Sequence, residues 1–179
     1  MANRHAVHVK IELRPTCEAD LPDLMALWND GRVMKFVGFP DGLGATPDSM
    51  AAWLGRLRAD RSRRHDSIHA SDLGFCGEVY VAVDRSRDLA TLDIKLRPEA
   101  QGRGIASHAL ALVLEETFKA ALAVRAYVDP SGRNERARHL YERLGFVEAE
   151  RPAWLGPPAP DGLYLEVSPA TFRRPRQPQ

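Results

Sequence analysis

A strand, a short glycine-containing loop and a long helix between Leu92 and Phe118 constrain the fold of this chain more than any other segment. Before the loop, apolar residues alternate with polar ones, and this period of two predicts a half-buried strand. The apolar positions are Ala90, Leu92, Ile94 and Leu96. Arg97 and Pro98 end the strand, because proline has no donor for the ladder. The loop runs from Gln101 to Ala106, and a helix is predicted from about Ile105 to Phe118.

The loop between this strand and this helix has the chemistry of an anion-binding site. The first backbone N–H groups of a helix have no partners within the helix, and the helix dipole adds partial positive charge there. Gly102 and Gly104 have no Cβ that would block the approach of a phosphate, and Arg103 adds a charged donor. The loop is therefore predicted to bind a phosphate or pyrophosphate. Close packing of small residues at the start of a helix is the simpler alternative.

Two common phosphate-binding motifs do not match this loop. A P-loop requires a lysine followed by serine or threonine after its last glycine, and this loop has neither. The dinucleotide fingerprint Gly-x-Gly-x-x-Gly fits Gly102 and Gly104 but has Ser107 in place of its third glycine. In addition, the segment from Arg97 to Gln101 separates the strand from the loop, whereas the fingerprint follows its strand directly. A nicotinamide-dependent reductase is therefore a distant alternative.

The composition predicts one globular domain. The chain has 179 residues, 44% of them hydrophobic, and a net charge of +1, so neither a nucleic acid nor a membrane is expected as a partner. The two cysteines, Cys17 and Cys76, indicate neither a disulfide framework nor a metal site. No segment resembles a signal peptide or reaches transmembrane length, so a cytoplasmic location is expected. The domain is predicted over residues 1–172, and the basic residues 173–179 are predicted to form a mobile tail.

Alternation and helix-capping residues predict a mixed order of strands and helices. Strands are predicted over residues 7–13, 67–70, 75–83, 90–96, 124–128, 146–147 and 163–167. Helices are predicted to begin near Asp20, Thr46, Ile105 and Asn134. The strands on either side of the long helix should be parallel because a crossover joins them, whereas the strands before them form an antiparallel meander. Five arginines from Arg56 to Arg64 are placed at the end of the second helix, where the helix dipole favours cations.

Two linked motifs in the second half of the chain resemble those of the GCN5-related N-acetyltransferases, the GNAT superfamily. Gln101, Gly104 and Ala106 match the pattern Gln/Arg-x-x-Gly-x-Gly/Ala, which holds the pyrophosphate of acetyl-CoA in that family. The segment from Asn134 to Phe146 resembles the second signature of the family, at the same distance beyond the loop. The N-terminal half is similar to the RimJ/RimL-like branch at three short segments. These are Leu13–Pro15, Trp28–Asp30 and Val33–Met34.

The resemblance implies a fold of the α/β (α+β) class, with a mixed, mostly antiparallel central sheet flanked by helices. In that fold the parallel strands that contain Ile94 and Ala126 splay apart, and acetyl-CoA lies in the splay. Its pantetheine arm would pair with the backbone at Ile94 and Leu96 like an added strand. The residues implied in cofactor binding are Ile94, Leu96, Gln101, Gly102, Arg103, Gly104, Ile105, Ala106, Ser107 and Asn134. No metal is implied.

The chemistry implied by the resemblance is transfer of an acetyl group from acetyl-CoA to a primary amine, by direct attack in a ternary complex. The amine is a protein N-terminus or a small-molecule amine. Tyr141 is the expected acid that protonates the departing thiolate, and Asp93 and Glu78 are the candidates for the base. Two alternatives stay open: an acetyl-enzyme on Cys76 assisted by His69, and a catalytically silent module that senses acyl-CoA.

The sequence constrains the acceptor and the oligomeric state less than it constrains the fold and the cofactor site. The acceptor pocket is expected between the loops at residues 38–44 and 151–162. An aminoglycoside or a polyamine would need carboxylates there, whereas a peptide N-terminus would need an open groove. The candidate carboxylates are Asp41, Asp48, Glu148, Glu150 and Asp161. A homodimer is kept as a candidate assembly.

Overall fold

In the computed structural model, which describes residues 9–159 and 161–175, the chain forms one seven-stranded sheet with helices packed against it. The strands are β1 (Ile11–Pro15), β2 (Arg63–Ala70), β3 (Gly74–Asp84), β4 (Leu89–Leu96), β5 (Arg125–Val128), β6 (Val147–Glu148) and β7 (Leu165–Val167). The helices are α1 (Leu21–Trp28), α2 (Gly31–Met34), α3 (Pro47–Ala59), α4 (Ile105–Lys119) and α5 (Glu135–Arg143).

The strands lie in the order β1-β2-β3-β4-β5-β7-β6. Neighbouring pairs are antiparallel except β4 and β5, which are parallel. This pairing confirms the predicted mixed, mostly antiparallel sheet of the α/β (α+β) class. The parallel pair is the one joined through α4, as the crossover in the sequence predicted. Val7, which belongs to the first predicted strand, lies outside the described residues.

The strands β4 and β5 separate toward the C-terminal end of β4. Their register pairs Leu89 with Arg125, Ala90 with Ala126 and Thr91 with Tyr127, and it ends there. The segment from Leu92 to Leu96 continues alongside β3, but within the described residues it has no strand neighbour on its other side. This opening is the predicted splay. It leaves one edge of main chain available to an extended ligand.

Two groups of buried side chains hold the helices against the sheet. The larger group joins α4 to the strands, and Leu110 and Leu114 of α4 are fully buried in it. The smaller group lies between α1, α3 and β3 and includes Leu24, Met50 and Phe75. The apolar spacing of α4 predicts its buried face, because side chains three and four residues apart lie on one side of a helix. The helices thereby fix the positions of β3 and β4.

Helix ends follow the capping residues of the sequence. The Asn134 side chain accepts a hydrogen bond from the Ala137 N–H at 3.2 Å at the start of α5. Thr46 forms a capping box with Ser49 at the start of α3. Gly145 has a positive φ of 90° just after α5, the left-handed conformation in which glycine commonly ends a helix. The position of α5 is therefore set at both of its ends.

The strand β2 begins earlier than predicted. Helix α3 ends at Ala59, and Arg63 and Arg64 belong to β2 rather than to the end of a helix. Asp60 explains the difference, because its carboxylate accepts a hydrogen bond from the Ser62 N–H at 3.0 Å and turns the chain into the strand. The prediction that the arginine cluster lies at a helix end is therefore wrong beyond Ala59.

The C-terminal segment contacts the domain as far as it is described. The Arg173 N–H donates to the Leu144 carbonyl oxygen at 2.9 Å, and Arg174 pairs with Glu115 at 3.0 Å. Residues 176–179 of the predicted tail lie outside the described residues. In the described ranges, no helix combines the length and the apolar character that crossing a membrane requires.

Candidate active site

A cavity of about 1060 Å³ opens where β4 and β5 separate. Its walls come from β4, the loop before α4, the first turn of α4, α5, the segment after β5 and the α2 region. Most residues proposed from the sequence line it. They are Asp93, Ile94, Leu96, Gln101, Gly102, Gly104, Ile105, Ala106, Ser107, Asn134 and Tyr141. Glu78 and Arg103 do not line it. The fold thus brings the phosphate loop, the open strand edge and two of the proposed catalytic side chains around one space.

The loop before α4 has the backbone form that an anion site requires. Gly102 and Gly104 both have a φ of 76°, in the left-handed region where residues with a Cβ are strained. Gly104 is the N-cap of α4, and no side chain caps the first N–H groups of this helix. A Cβ added at Gly102 would meet no atom within 4 Å, so the loop surface is open there. A diphosphate can therefore accept hydrogen bonds from these N–H groups.

The cations near this loop differ from the prediction. The Arg103 guanidinium pairs with Asp72 and does not line the cavity. On the α5 side, the arginines that line the cavity are Arg133, Arg136 and Arg143. Arg136 donates to the side chain of Gln101, whose Nε2 donates to the Leu96 carbonyl oxygen at 2.9 Å. The sequence analysis did not predict that these three arginines line the cavity. They lie in or beside the helical segment that includes Asn134 and Tyr141, so their helical spacing from these two residues could have indicated it.

Tyr141 lies on α5 at the wall of the cavity. It is only 6% exposed, and its ring packs against Phe146 with 5.4 Å between ring centroids. Among the described residues, the Tyr141 hydroxyl forms no hydrogen bond with a protein group. Burial, followed by the charges of Asp93 and Asp129, raises the pKa of Tyr141, so the phenol stays protonated. A protonated phenol at this wall can donate its proton to a leaving group.

Asp93 and Lys95 project from the same face of β4. The Asp93 carboxylate pairs with the Lys95 ammonium. The Asp93 side chain is 42% exposed and lines the cavity. Lys95 also donates to Oε1 of Glu78 at 3.1 Å. Burial alone would lower the pKa of Lys95, but the charges of Asp93 and Glu78 outweigh burial and raise it. The cavity wall therefore carries a carboxylate held against a permanently charged lysine.

Glu78 lies behind Lys95, with a side chain that is 3% exposed. Its Oε2 accepts hydrogen bonds from Trp28 Nε1 at 2.9 Å and from His65 Nε2 at 2.8 Å. Burial alone would raise the pKa of Glu78, but the Lys95 charge and the His65 hydrogen bond outweigh burial and lower it. Glu78 is therefore ionised and fully hydrogen-bonded, and it does not line the cavity.

Cys76, the alternative nucleophile, lies in the main core with no exposed surface. Its Sγ donates to the Gly74 carbonyl oxygen at 3.4 Å, and burial raises the pKa of the thiol. His69 packs against Phe75 with 5.9 Å between ring centroids, and neither Cys76 nor His69 lines the cavity. The geometry gives no support to an acetyl-enzyme on Cys76. In the described ranges, no group of three or more His, Cys, Asp or Glu is arranged to hold a metal ion.

As far as they are described, the two loops that were predicted to surround the acceptor, at residues 38–44 and 151–162, do not line the cavity. Two other segments line it, and they contribute Arg32, Val33, Lys35, Phe36 and Val37, and Val128, Asp129, Pro130, Ser131 and Arg133. The side chain of Asn29 ties the end of the first loop to α1, through hydrogen bonds of 2.6 and 2.9 Å with Ala45. Five carboxylates proposed for a polycationic acceptor do not line the cavity. They are Asp41, Asp48, Glu148, Glu150 and Asp161. The wall of the cavity at the α2 region, called the acceptor wall below, contains Arg32 and Lys35.

A family model places the chain among acetyltransferases, and two known proteins are similar to it. A model of the acetyltransferase (GNAT) domain matches residues 10–147. Spermidine N(1)-acetyltransferase of Escherichia coli is 28% identical over 142 residues, which cover 78% of this chain and 75% of that protein. The structure of spermidine N-acetyltransferase from Vibrio cholerae in complex with CoA and spermine has a TM-score of 0.78 at 21% identity, over 90% of this chain and 96% of that chain.

A second solved structure has the same fold. The acetyltransferase of the GNAT family from Streptococcus pneumoniae has a TM-score of 0.70 at 20% identity, over 89% of this chain and 99% of that chain. Membership in the RimJ/RimL-like branch stays a prediction. Because the family model covers residues 10–147, which is more than half of the sequence, the chain belongs to the GNAT acetyltransferase family and is an N-acetyltransferase that uses acetyl-CoA as its acetyl donor.

Proposed function

We propose that this enzyme moves the acetyl group directly to a primary amine while both substrates are bound. The observation that carries the proposal is that Asp93 and Tyr141 line one cavity beside the open edge of β4. No thiol is found among the described residues that line this cavity. The amine of the acceptor is therefore the nucleophile in this proposal, and no acetyl-enzyme forms.

Acetyl-CoA is held by two features of the cavity in this proposal. The N–H groups at the start of α4, between Gly104 and Ser107, bind the diphosphate, and Arg136 adds positive charge beside them. The open main chain of β4 at Ile94 binds the pantetheine arm like an added strand. The first feature rests on the positive φ of the loop glycines, and the second on the end of the β4–β5 register at Thr91.

Asp93 and Tyr141 supply the two proton transfers. When the amine attacks the thioester carbonyl carbon and the C–N bond forms, the nitrogen becomes acidic enough to give a proton to a carboxylate, and Asp93 accepts it. When the C–S bond breaks, Tyr141 donates its phenolic proton to the departing sulfur and regains a proton from solvent. The raised pKa of Tyr141 supports this role, because the phenol is protonated before each turnover.

A polyamine is the first acceptor candidate. The Escherichia coli relative is a spermidine N(1)-acetyltransferase, and the Vibrio cholerae structure contains spermine. Asp93 and Asp129 line the cavity and attract ammonium groups. These two carboxylates support the first candidate.

An amine that also carries a carboxylate is the second candidate. Arg32 and Lys35 line the wall of the cavity where this proposal places the acceptor. Arg32 pairs with Asp30 at 2.6 Å, but its side chain is still 71% exposed. These cations repel the distal ammonium groups of a polyamine and attract an anionic group. The five carboxylates that the sequence suggested for a polycation do not line the cavity.

The proposal is tested by measuring release of the CoA thiol with spermidine, glycylglycine and glycylglycine amide. The last two share one amine and differ in the carboxylate. Amine-dependent release, with an acetylated product found by mass spectrometry, supports direct transfer. A kcat/KM highest for spermidine assigns the polyamine class, and one highest for glycylglycine assigns the anionic class. Release that does not depend on any amine contradicts the proposal.

Three further predictions from the sequence are retained as part of the proposal. The enzyme is expected to act in the cytoplasm, without a nucleic acid or membrane partner, and as a homodimer. The silent acyl-CoA sensor is set aside, because the matching family model is that of an acetyltransferase domain. Light scattering of the purified chain tests the homodimer.

A further inference from the structure

A connected set of polar side chains runs across the sheet on the face toward α1 and α3. It begins at Thr16, after β1, whose Oγ1 is 2.8 Å from Nδ1 of His65. His65 Nε2 is 2.8 Å from Oε2 of Glu78, and Lys95 Nζ is 3.1 Å from Oε1 of Glu78. Lys95 then pairs with Asp93 at the cavity. The buried network therefore ends on the residue proposed as the base.

The far end of this network is rigid. A carboxylate only accepts hydrogen bonds, so Nε2 of His65 carries the hydrogen that faces Glu78. Nδ1 of the same ring is 2.8 Å from the Thr16 hydroxyl oxygen. Trp28 donates from Nε1 to the same oxygen of Glu78 at 2.9 Å. Trp53 packs edge-on against both Trp28 and His65, with ring centroids 4.8 Å apart in each case. Glu78 is thereby fixed in one position.

Glu78 is fully occupied by its donors. Trp28 and His65 donate to one oxygen, and Lys95 donates to the other. Its side chain is buried and outside the cavity. A carboxylate in this position cannot reach an amine in the cavity. Glu78 instead holds the ammonium of Lys95 in place.

We infer that Lys95 is a positioning residue: its ammonium, anchored by Glu78, fixes the Asp93 carboxylate toward the acceptor and supplies a positive charge beside it. The inference rests on the proposed function, in which Asp93 accepts the proton of the amine. It also separates the two carboxylates that the sequence left as equal candidates for the base. Asp93 touches the acceptor, and Glu78 acts only through Lys95.

The register of the strands and the burial of Lys95 support this role. Lys95 lies opposite Glu78, and Asp93 lies opposite Tyr80, so all four side chains share one face of the β3–β4 pair. The Lys95 side chain is only 14% exposed, and an ammonium with so little water needs charged partners. The Lys95–Glu78 pair is buried at both ends and is screened little by salt, so Glu78 holds the Lys95 ammonium in place at ordinary ionic strength.

The titratable groups around Asp93 come from three elements. Lys95 lies two residues along the same strand, Tyr80 faces Asp93 from β3, and Tyr141 faces it from α5. The charge of Asp93 contributes to the raised pKa of both tyrosines, after burial as the first cause. Both phenols are therefore neutral near pH 7. Of these three neighbours, Lys95 alone carries a charge, so its removal changes the field at Asp93 most.

The test is the pH dependence of kcat/KM for Lys95→Met, measured with spermidine or glycylglycine, whichever is the better acceptor. The acceptor ionises in the same way with every variant, so a difference between two profiles reports on the enzyme. Without the ammonium, a carboxylate is protonated more readily, and the low-pH limb should move upward by about one pH unit. Lys95→Arg should return the limb toward the wild-type position, and acetyl-CoA affinity should stay unchanged.

The matched control is Lys119→Met, which removes a lysine that is 79% exposed at the end of α4 and should leave the profile unchanged. Thermal unfolding at each pH establishes that the variants are folded, and Lys95→Gln replaces Lys95→Met if the latter is not. A wild-type low-pH limb in a folded Lys95 variant, together with a strongly impaired Asp93→Asn, overturns the role of Lys95 alone. A wild-type profile in Asp93→Asn overturns the base assignment of the proposed function instead.

Discussion

The carboxylate of Asp93 and the phenol of Tyr141 line the same cavity, and the charge of Asp93 contributes, after burial, to the raised pKa of Tyr141. The carboxylate thus stabilises the protonated form of the phenol. A base and an acid with opposite protonation states are required when one proton leaves an amine and another reaches a thiolate. The pairing of these two residues leads to the first prediction.

Tyr141→Phe should lower kcat by about ten- to a thousandfold, within the usual range for a lost acid catalyst. The ring and its packing against Phe146 are kept, so acetyl-CoA binding should change little. The rate of CoA release and calorimetric titration with acetyl-CoA measure the two effects separately.

Tyr164→Phe is the matched control for this prediction. Tyr164 is buried like Tyr141, but its hydroxyl donates to Glu166 at 2.6 Å and it does not line the cavity. Its phenylalanine variant should keep wild-type turnover. If Tyr141→Phe also turns over a good acceptor at the wild-type rate, Tyr141 is a core aromatic and not the acid.

Gly104→Glu should remove acetyl-CoA binding while the fold persists. The new carboxylate lies at the N-terminus of α4 and repels the diphosphate that the proposal places there. An affinity loss of about a hundredfold or more, equivalent to about 3 kcal/mol, is expected by calorimetry.

Gly44→Glu controls for the cost of a side chain in the left-handed region. Gly44 has a φ of 69°, and a Cβ added there would meet no atom within 4 Å. This variant should bind acetyl-CoA like the wild type. Retained affinity in a folded Gly104→Glu would show that the diphosphate lies elsewhere.

Cys76→Ala should retain turnover, because the thiol is buried in the core and outside the cavity. Removing one sulfur from the core should lower stability by about 1 kcal/mol. Intact-protein mass spectrometry after mixing with acetyl-CoA, without an acceptor, should show no acetylated chain. Loss of activity in a folded Cys76→Ala, with Cys17→Ala unaffected, would restore the acetyl-enzyme route.

Glu78→Gln should change how stability depends on pH. The pKa of Glu78 is lower in the folded state, so its contribution is fully present above its unfolded value of about 4.3 and is lost as the pH falls through the folded value. At pH 7 the variant should lose about 1–3 kcal/mol, because Lys95 loses a charged partner. Below pH of about 4 the difference between variant and wild type should shrink. Urea unfolding at pH 7 and at a pH below about 4 measures the free energy of unfolding of both proteins. The same difference between variant and wild type at both pH values would contradict the lowered pKa of Glu78.

Local signals predicted the parts of the site that neighbouring residues determine. The glycines at 102 and 104 predict a loop without side-chain bulk before a helix, and in the structure both lie just before α4 with a positive φ. The Asn134 cap and the Gly145 stop bound α5, and the helical spacing between them directs Tyr141 to the cavity. Each of these features depends on a few adjacent residues, so single-sequence reasoning reaches them.

The parts that the sequence could not predict depend on pairing between distant segments. The register of β2 with β3 and of β3 with β4 brings His65, Glu78 and Lys95 together, and no local pattern specifies that register. Arg103 could not be assigned for the same reason, since its partner Asp72 lies in the turn between β2 and β3. The loop at residues 38–44 does not line the cavity, and the hydrogen bonds between Asn29 and Ala45 that tie it to α1 are not indicated by any local pattern.

The most direct test of direct transfer is the initial-rate pattern when acetyl-CoA and the better of spermidine and glycylglycine are varied together. A ternary complex requires that double-reciprocal lines against acetyl-CoA converge as the acceptor concentration changes. Parallel lines are the kinetic fingerprint of a covalent acetyl-enzyme. Converging lines are the predicted result, and parallel lines would contradict direct attack by the amine.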